Sequence, residues 1–234
     1  MIQKQKYNLK MDNLAPIVLF VYNRLDHTKQ TLEALLANKL ANQSEIFIYS
    51  DAAKSRNDEM KVSEVIEYIK KVSGFKKITI IQRERNFGLA SNIIDCVTKI
   101  VNEYNRIIVL EDDLITSPCF LTFMNEGLEL YKDEPRVASI HGYVYPIDGL
   151  PETFFIKGSD CWGWATWSDK WNIFEPDGRK LLDEARRLKL EKEMDFNDSY
   201  RFVEMLRSQI LGKNDSWAIR WYASAFLKDM LTLY

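Results

Sequence analysis

The feature that most constrains this chain is a repeated alternation in its first half. Four short runs rich in Ile and Val, at residues 16–22, 45–50, 77–82 and 106–110, are separated by three longer stretches at 28–37, 57–72 and 89–103. The runs are too short for helices, whereas apolar residues in the stretches recur at helical spacing, as in Val62, Val65, Ile66 and Ile69. Strands alternating with amphipathic helices build a parallel sheet covered by crossover helices. The expected class is therefore α/β, with an open, mostly parallel sheet flanked by helices and of a nucleotide-binding type.

Beyond residue 114 the grammar changes. A helix is expected over 118–131 and a strand over 137–141, followed by a Trp-rich segment and several helical stretches. The densely charged run 180–192 reads as a solvated helix face or a surface excursion. At 234 residues the chain fits one domain. The closing apolar run 231–234 is strand-like with no turn after it, and reads as an element cut short.

Balanced charge, 32 Lys and Arg against 34 Asp and Glu, leaves no positive field to follow a nucleic acid backbone. No apolar run approaches the roughly 18–20 residues of a membrane-spanning helix, and the first twenty residues lack a secretory pattern. The expectation is a cytoplasmic protein with at most peripheral contact at the inner face of the cell membrane. Cys96, Cys119 and Cys161 share no metal or disulfide spacing and read as reduced, mostly buried thiols. There is no GxxxxGK[ST] or GxGxxG motif. With His27 and His141 as the only histidines, chemistry rests on carboxylates.

In open α/β sheets ligands bind beyond the carboxyl ends of the strands. Asn23, Arg24 and Asp26 follow the first run, Asp51 the second, Arg83, Arg85 and Asn86 the third, and Glu111, Asp112 and Asp113 the fourth. A diphosphate needs cationic donors, ribose and base edges need acceptors, and a divalent cation needs carboxylates. The sharpest signal is Glu111-Asp112-Asp113, because three adjacent carboxylates at a dry strand end repel one another unless a cation such as Mg2+ or Mn2+ compensates them. Asp51 could equally cap a turn. Residues 86–88 read either as a plain helix entry or as a backbone amide site near a ligand. The segment 158–167, with Trp162, Trp164 and Trp167, suits stacking on a sugar ring or a core cluster alike. Asp215 reads as a helix N-cap or as a carboxylate aimed into the cleft.

Taken together these residues resemble the GT-A glycosyltransferases, and in order and character the N-acetylglucosaminyltransferase I type and its bacterial relatives. The pieces that carry the resemblance are the strand and Asn-Arg opening at 18–24, Ser50-Asp51, the acidic motif through Leu114 with Pro118 and Phe120, Gly163-Trp164, and the late Asp-Trp helix start. It implies a single GT-A domain over 1–234, with about 15–114 as the nucleotide-sugar-binding half and about 115–234 as the acceptor side. The implied activity is metal-dependent transfer, with inversion, of a hexosyl or N-acetylhexosaminyl group. The donor would be a nucleotide sugar, a UDP-sugar in this reading, and the acceptor a hydroxyl of a glycan, glycolipid or glycoprotein, as in polysaccharide biosynthesis.

Carried over, Arg24, Asp51, Asn86, Asp112 and Trp164 contact the nucleotide sugar and Asp113 ligates Mn2+ or Mg2+. Asp215 is the catalytic base, with Asp160 as the second candidate. A noncatalytic nucleotide-sugar-binding domain and a sugar nucleotidyltransferase are the alternatives. The latter usually carries a glycine-rich basic signature after the first strand, which residues 21–25 lack.

Overall fold

The computed structural model describes residues 13–234, so part of the stretch read above as free of a secretory pattern lies outside the described residues. The first half folds as β1 (Ile17–Val21), α1 (Leu25–Leu36), β2 (Glu45–Ser50), α2 (Arg56–Ile69), β3 (Lys77–Gln82), α3 (Leu89–Tyr104) and β4 (Arg106–Glu111). The second half adds α4 (Phe120–Leu130), β5 (Val137–His141), β6 (Phe155–Lys157), β7 (Trp164–Trp167), α5 (Ser168–Trp171), α6 (Gly178–Leu188), α7 (Glu191–Met194), α8 (Phe202–Ile210), α9 (Trp217–Leu227) and β8 (Leu231–Leu233).

All eight strands join one sheet in the order β3-β2-β1-β4-β7-β5-β8-β6. The pairs β1–β2, β2–β3, β1–β4 and β5–β8 are parallel, while β4–β7, β5–β7 and β6–β8 are antiparallel. Only β6 and β7 thus run against the rest, and the open, mostly parallel sheet expected from the sequence is the one that forms.

Alternation along the central strands divides the core into two layers, since successive side chains point to opposite faces. Ile17, Leu19, Ile46, Ile48, Ile108 and Leu110 pack beneath α1, α2 and α4. Val18, Phe20, Phe47, Tyr49, Ile107 and Val109 meet α3, α5 and α9 across the other face. A third cluster joins Leu181, Leu182 and Ala185 of α6 to Val203 and Leu206 of α8 and to Tyr222 and Phe226 of α9. The charged run 180–192 is thereby the outer face of a docked helix, as one of its two readings had it.

Two details depart from the sequence reading. The Trp-rich residues 164–167 form a strand inserted between β4 and β5, reversing the local direction of the sheet. Of the three free cysteines Cys96 is buried, Cys161 partly buried and Cys119 exposed, so the thiols are not mostly buried.

Candidate functional site

The polar strand ends converge as the sheet topology requires. β1 lies between β2 and β4, with Phe20 registered against both Tyr49 and Glu111, so the residues that follow these three strands share one edge. Arg24 ends the β1–α1 turn as the residue preceding the helix. Its guanidinium bonds Asp112 Oδ1 and, at 3.1 Å, Asp113 Oδ2, spanning both aspartates of the acidic run. The Thr31 hydroxyl of α1 donates to the Asp112 carbonyl at 2.8 Å and fixes the backbone of the run against the helix.

The three acids have different surroundings. Asp113 is about half exposed, with 45% of its side chain accessible. Asp112 is buried, and its Oδ2 has no hydrogen-bond partner. Burial holds its carboxyl above the usual range despite the Arg24 hydrogen bond. Glu111 is pushed up to about 7 by burial first and then by the charges of Asp113 and Asp112.

That shift fixes the sign of a pH effect. Between about 4.5 and about 7 the folded protein keeps a proton on Glu111 that the unfolded chain has released, so stability falls as pH rises through that window and the full cost is present above it. Glu111→Gln is expected to stabilise the metal-free protein by about 1–3 kcal/mol at pH 8 and to have no such effect at pH 4. Thermal unfolding in a chelating buffer reads this directly. Equal gains at both pH values would rule out the titration.

Asp51, at the end of β2, is 7% exposed. Its carboxylate accepts from the backbone N–H groups of Ala52 (2.9 Å), Phe87 (2.9 Å) and Gly88 (3.0 Å) and from Asn86 Nδ2 (3.2 Å). Asn86 also donates to the Ala52 carbonyl at 2.7 Å. Gly88, at φ 72°, turns the chain into α3. Asp51 and Asn86 therefore wall the cleft with side chains already committed to joining two loops. Arg83 is likewise engaged, with Asn92 and Asp95 and over the Phe87 ring. The Asn23 amide donates to Asp58.

The tryptophans separate cleanly. Trp164 is fully buried, enclosed by Trp171, Trp217 and Trp221 at ring separations of 5.5–5.8 Å. It has no face free for a sugar ring, which corrects its assignment as a ligand contact in favour of the core reading. Trp162, two residues earlier, is 47% exposed and sits edge-on to Tyr143.

The two candidate bases also differ. The N-cap of α9 is Ser216, whose hydroxyl accepts from Ile219 N–H, so Asp215 is not the cap. Asp215 is exposed and paired with Arg220 at 3.1 Å, and Arg220 is anchored on the Ser216 and Pro176 carbonyls. Asp160 is held at both oxygens, Oδ1 accepting from Cys161 N–H (2.8 Å) and Oδ2 from the Tyr234 hydroxyl (3.2 Å), with His141 Nε2 3.7 Å from Oδ1. The neighbouring Cys161 thiol is pushed up by burial first and then by the charge of Asp160.

Two clefts flank that run. One, of about 320 Å³, is lined by Tyr22, Arg24, Asp51, Lys54, Asn86 and Asp112 among others. The second, of about 820 Å³, is lined by Asp113, Leu114, Phe120, Phe123, Tyr143 and Trp162 among others. The sequence reading leaves out the cleft-lining Lys54 and Tyr143. Lys54 is marked as the first cation past the end of β2, whereas nothing local marks Tyr143; of the tryptophans it offers for stacking, Trp162 is the one that lines a cleft.

The arrangement places Arg24 and Lys54 on one side of the acidic run and the aromatic side chains of Phe120, Tyr143 and Trp162 on the other, and it buries an unpartnered Asp112 oxygen within the run. The family model for glycosyl transferase family 2 matches residues 17–174, a span that includes β1 to β4, the acidic run and both flanks of the second cleft. No curated protein sequence matches the chain. Among solved structures it is similar to a mannosyltransferase from Pyrobaculum calidifontis in complex with GDP-Man and Mn2+, at 12% identity and a TM-score of 0.42 over 57% of this chain and 36% of that one. It is also similar to residues 1–349 of TarS from S. aureus, at 12% identity and a TM-score of 0.46 over 70% of this chain and 50% of that one. The chain spans half or less of the length of the solved structures it matches. With the family model covering more than half of its length, the chain belongs to glycosyl transferase family 2, and its open, mostly parallel sheet is the one expected of a GT-A domain.

Proposed function

We propose that this chain transfers a hexosyl or N-acetylhexosaminyl group from a UDP-sugar to a hydroxyl of a glycan-type acceptor, with inversion and with Mn2+ or Mg2+ as cofactor. The observation that carries the reading is the position of the acidic run between two unlike clefts. The smaller takes the nucleotide diphosphate, with Arg24 and Lys54 as cationic donors and Tyr22 on its wall. The larger takes the acceptor, with Trp162 and Tyr143 offering aromatic faces to a sugar ring. Three free cysteines and balanced charge suit work in the cytoplasm, and among the described residues no helix is long and apolar enough to cross a membrane.

The donor set fits a divalent cation of the kind that keeps most of its coordination for substrate phosphates and water. Among the described residues no group of three His, Cys, Asp or Glu encloses a metal, yet such ions need only one or two carboxylates beside the phosphates. Asp113 supplies one, and the unpartnered Asp112 Oδ2 supplies an acceptor for the ion or the ribose. When bound, the cation offsets charge growing on the departing diphosphate. Asp160 accepts the proton of the acceptor hydroxyl on a carboxylate oxygen, and Tyr234 with the Cys161 N–H orients it. The hydroxyl attacks opposite the leaving nucleoside diphosphate, which is what gives inversion.

Titration calorimetry with UDP tests the donor side. Binding is expected to be about tenfold tighter or more with Mn2+ than with a chelator present, within the usual range of coupling between sites. UDP affinity that ignores the metal overturns the reading.

A further inference from the structure

We infer that Arg24 is an exchangeable counter-ion: it neutralises Asp112 and Asp113 until the cation arrives, then releases them and turns to the donor diphosphate. The inference rests on the reading of the acidic run as the donor's metal site. Arg24 reaches both aspartates at once, and its side chain is 44% exposed, so it is held by these acids and not by packing. It provides no side-chain cap to α1. Among the described residues its guanidinium bonds only the two aspartates, while the residue itself lines the smaller cleft.

Charge balance argues for the exchange. Two carboxylates share one guanidinium, and among the described residues Asp112 Oδ2 is buried without a partner. The run is thus under-neutralised by Arg24 alone, and a divalent ion offers twice the charge at the same carboxylate oxygens. A cation on Asp113 Oδ2 competes there with the Arg24 guanidinium, which lies 3.1 Å from the same oxygen. The displaced arginine finds a doubly charged partner in the diphosphate, whose paired oxygens suit its planar fork. Metal and nucleotide then assist each other through one side chain, because the ion frees the group that the diphosphate needs.

The consequence runs against intuition: removing a positive residue from the site should strengthen metal binding in the absence of nucleotide. Free Mn2+ followed by its paramagnetic resonance signal, titrated with wild-type protein and with Arg24→Gln, reads this without any turnover. The variant is expected to bind Mn2+ alone about tenfold more tightly, to bind UDP more weakly, and to show a smaller gain in UDP affinity on adding Mn2+. Arg24→Lys, which keeps the charge but loses the fork, should fall between the two. Circular dichroism verifies that the variants are folded.

Mn2+ binding to Arg24→Gln that equals or falls below wild type overturns the exchange. If wild-type protein holds no Mn2+ even with UDP present, the metal-site reading fails first. If wild type with UDP does hold it while the two proteins bind Mn2+ alone equally, only the exchange fails.

Discussion

Asp113→Ala is expected to lower turnover of a UDP-sugar by a factor of about a thousand or more. Asp113 is the half-exposed acid of the run and borders the larger cleft, while its Oδ2 meets an arginine of the smaller one. Under the proposed function it is the group that holds the cation against a diphosphate in the smaller cleft. A metal acting on a departing oxygen is worth several kcal/mol, and about 4 kcal/mol corresponds to the predicted loss. The structural cost is small, because the ion pair that disappears is solvent-exposed and contributes about 1 kcal/mol or less. Product release assays with saturating donor, together with a melting curve, separate the two effects. A rate within tenfold of wild type at unchanged stability would remove Asp113 from the centre of the proposal.

Asp160→Asn should reduce kcat by about a hundredfold to ten thousandfold while leaving UDP affinity as it was. The amide keeps the shape and the hydrogen bond from Cys161 N–H, but it cannot take a proton from the acceptor hydroxyl. Asp215→Asn is the natural control, since its carboxylate is exposed and engaged with Arg220. That change is expected to cost only the partial loss of a surface pair. Should Asp215→Asn abolish turnover while Asp160→Asn retains it, the base passes to the start of α9 and the acceptor must enter from that side.

The sheet and its helices were legible because burial on both faces leaves a local record. β1, β2 and β4 read as continuous apolar runs, and Val62, Val65 and Ile69 repeat at the spacing of one helix face. The acidic run was legible for the same reason, as a polar break at the end of a buried strand. What escaped depends on partners distant in sequence. Asp51 closes on Phe87 and Gly88 across 36 and 37 residues, and Arg24 meets Asp112 across 88.

Composition was equally silent on the tryptophans, since an aromatic face serves a core or a sugar alike. Only the pairing of β7 with β4 decided that Trp164 goes inward, leaving Trp162 beyond the strand at the cleft. At the start of α9 both Asp215 and Ser216 are good cap formers, and backbone geometry alone selected the serine.

The insertion of β7 between β4 and β5 carries a consequence for how such a chain can change. β5 ends at His141 and β7 begins at Trp164, so residues 142–163 leave the sheet at β5, add β6 to its far edge and return beside the acidic run at β7. That segment supplies Gly142, Tyr143, Trp162 and Gly163 to the larger cleft and does not line the smaller one. Under the proposed function, the Tyr143 and Trp162 rings offered to the acceptor are thereby written on a piece of chain separate from the donor cleft. A lineage, or an engineer, can rewrite one between fixed endpoints while the other is inherited intact.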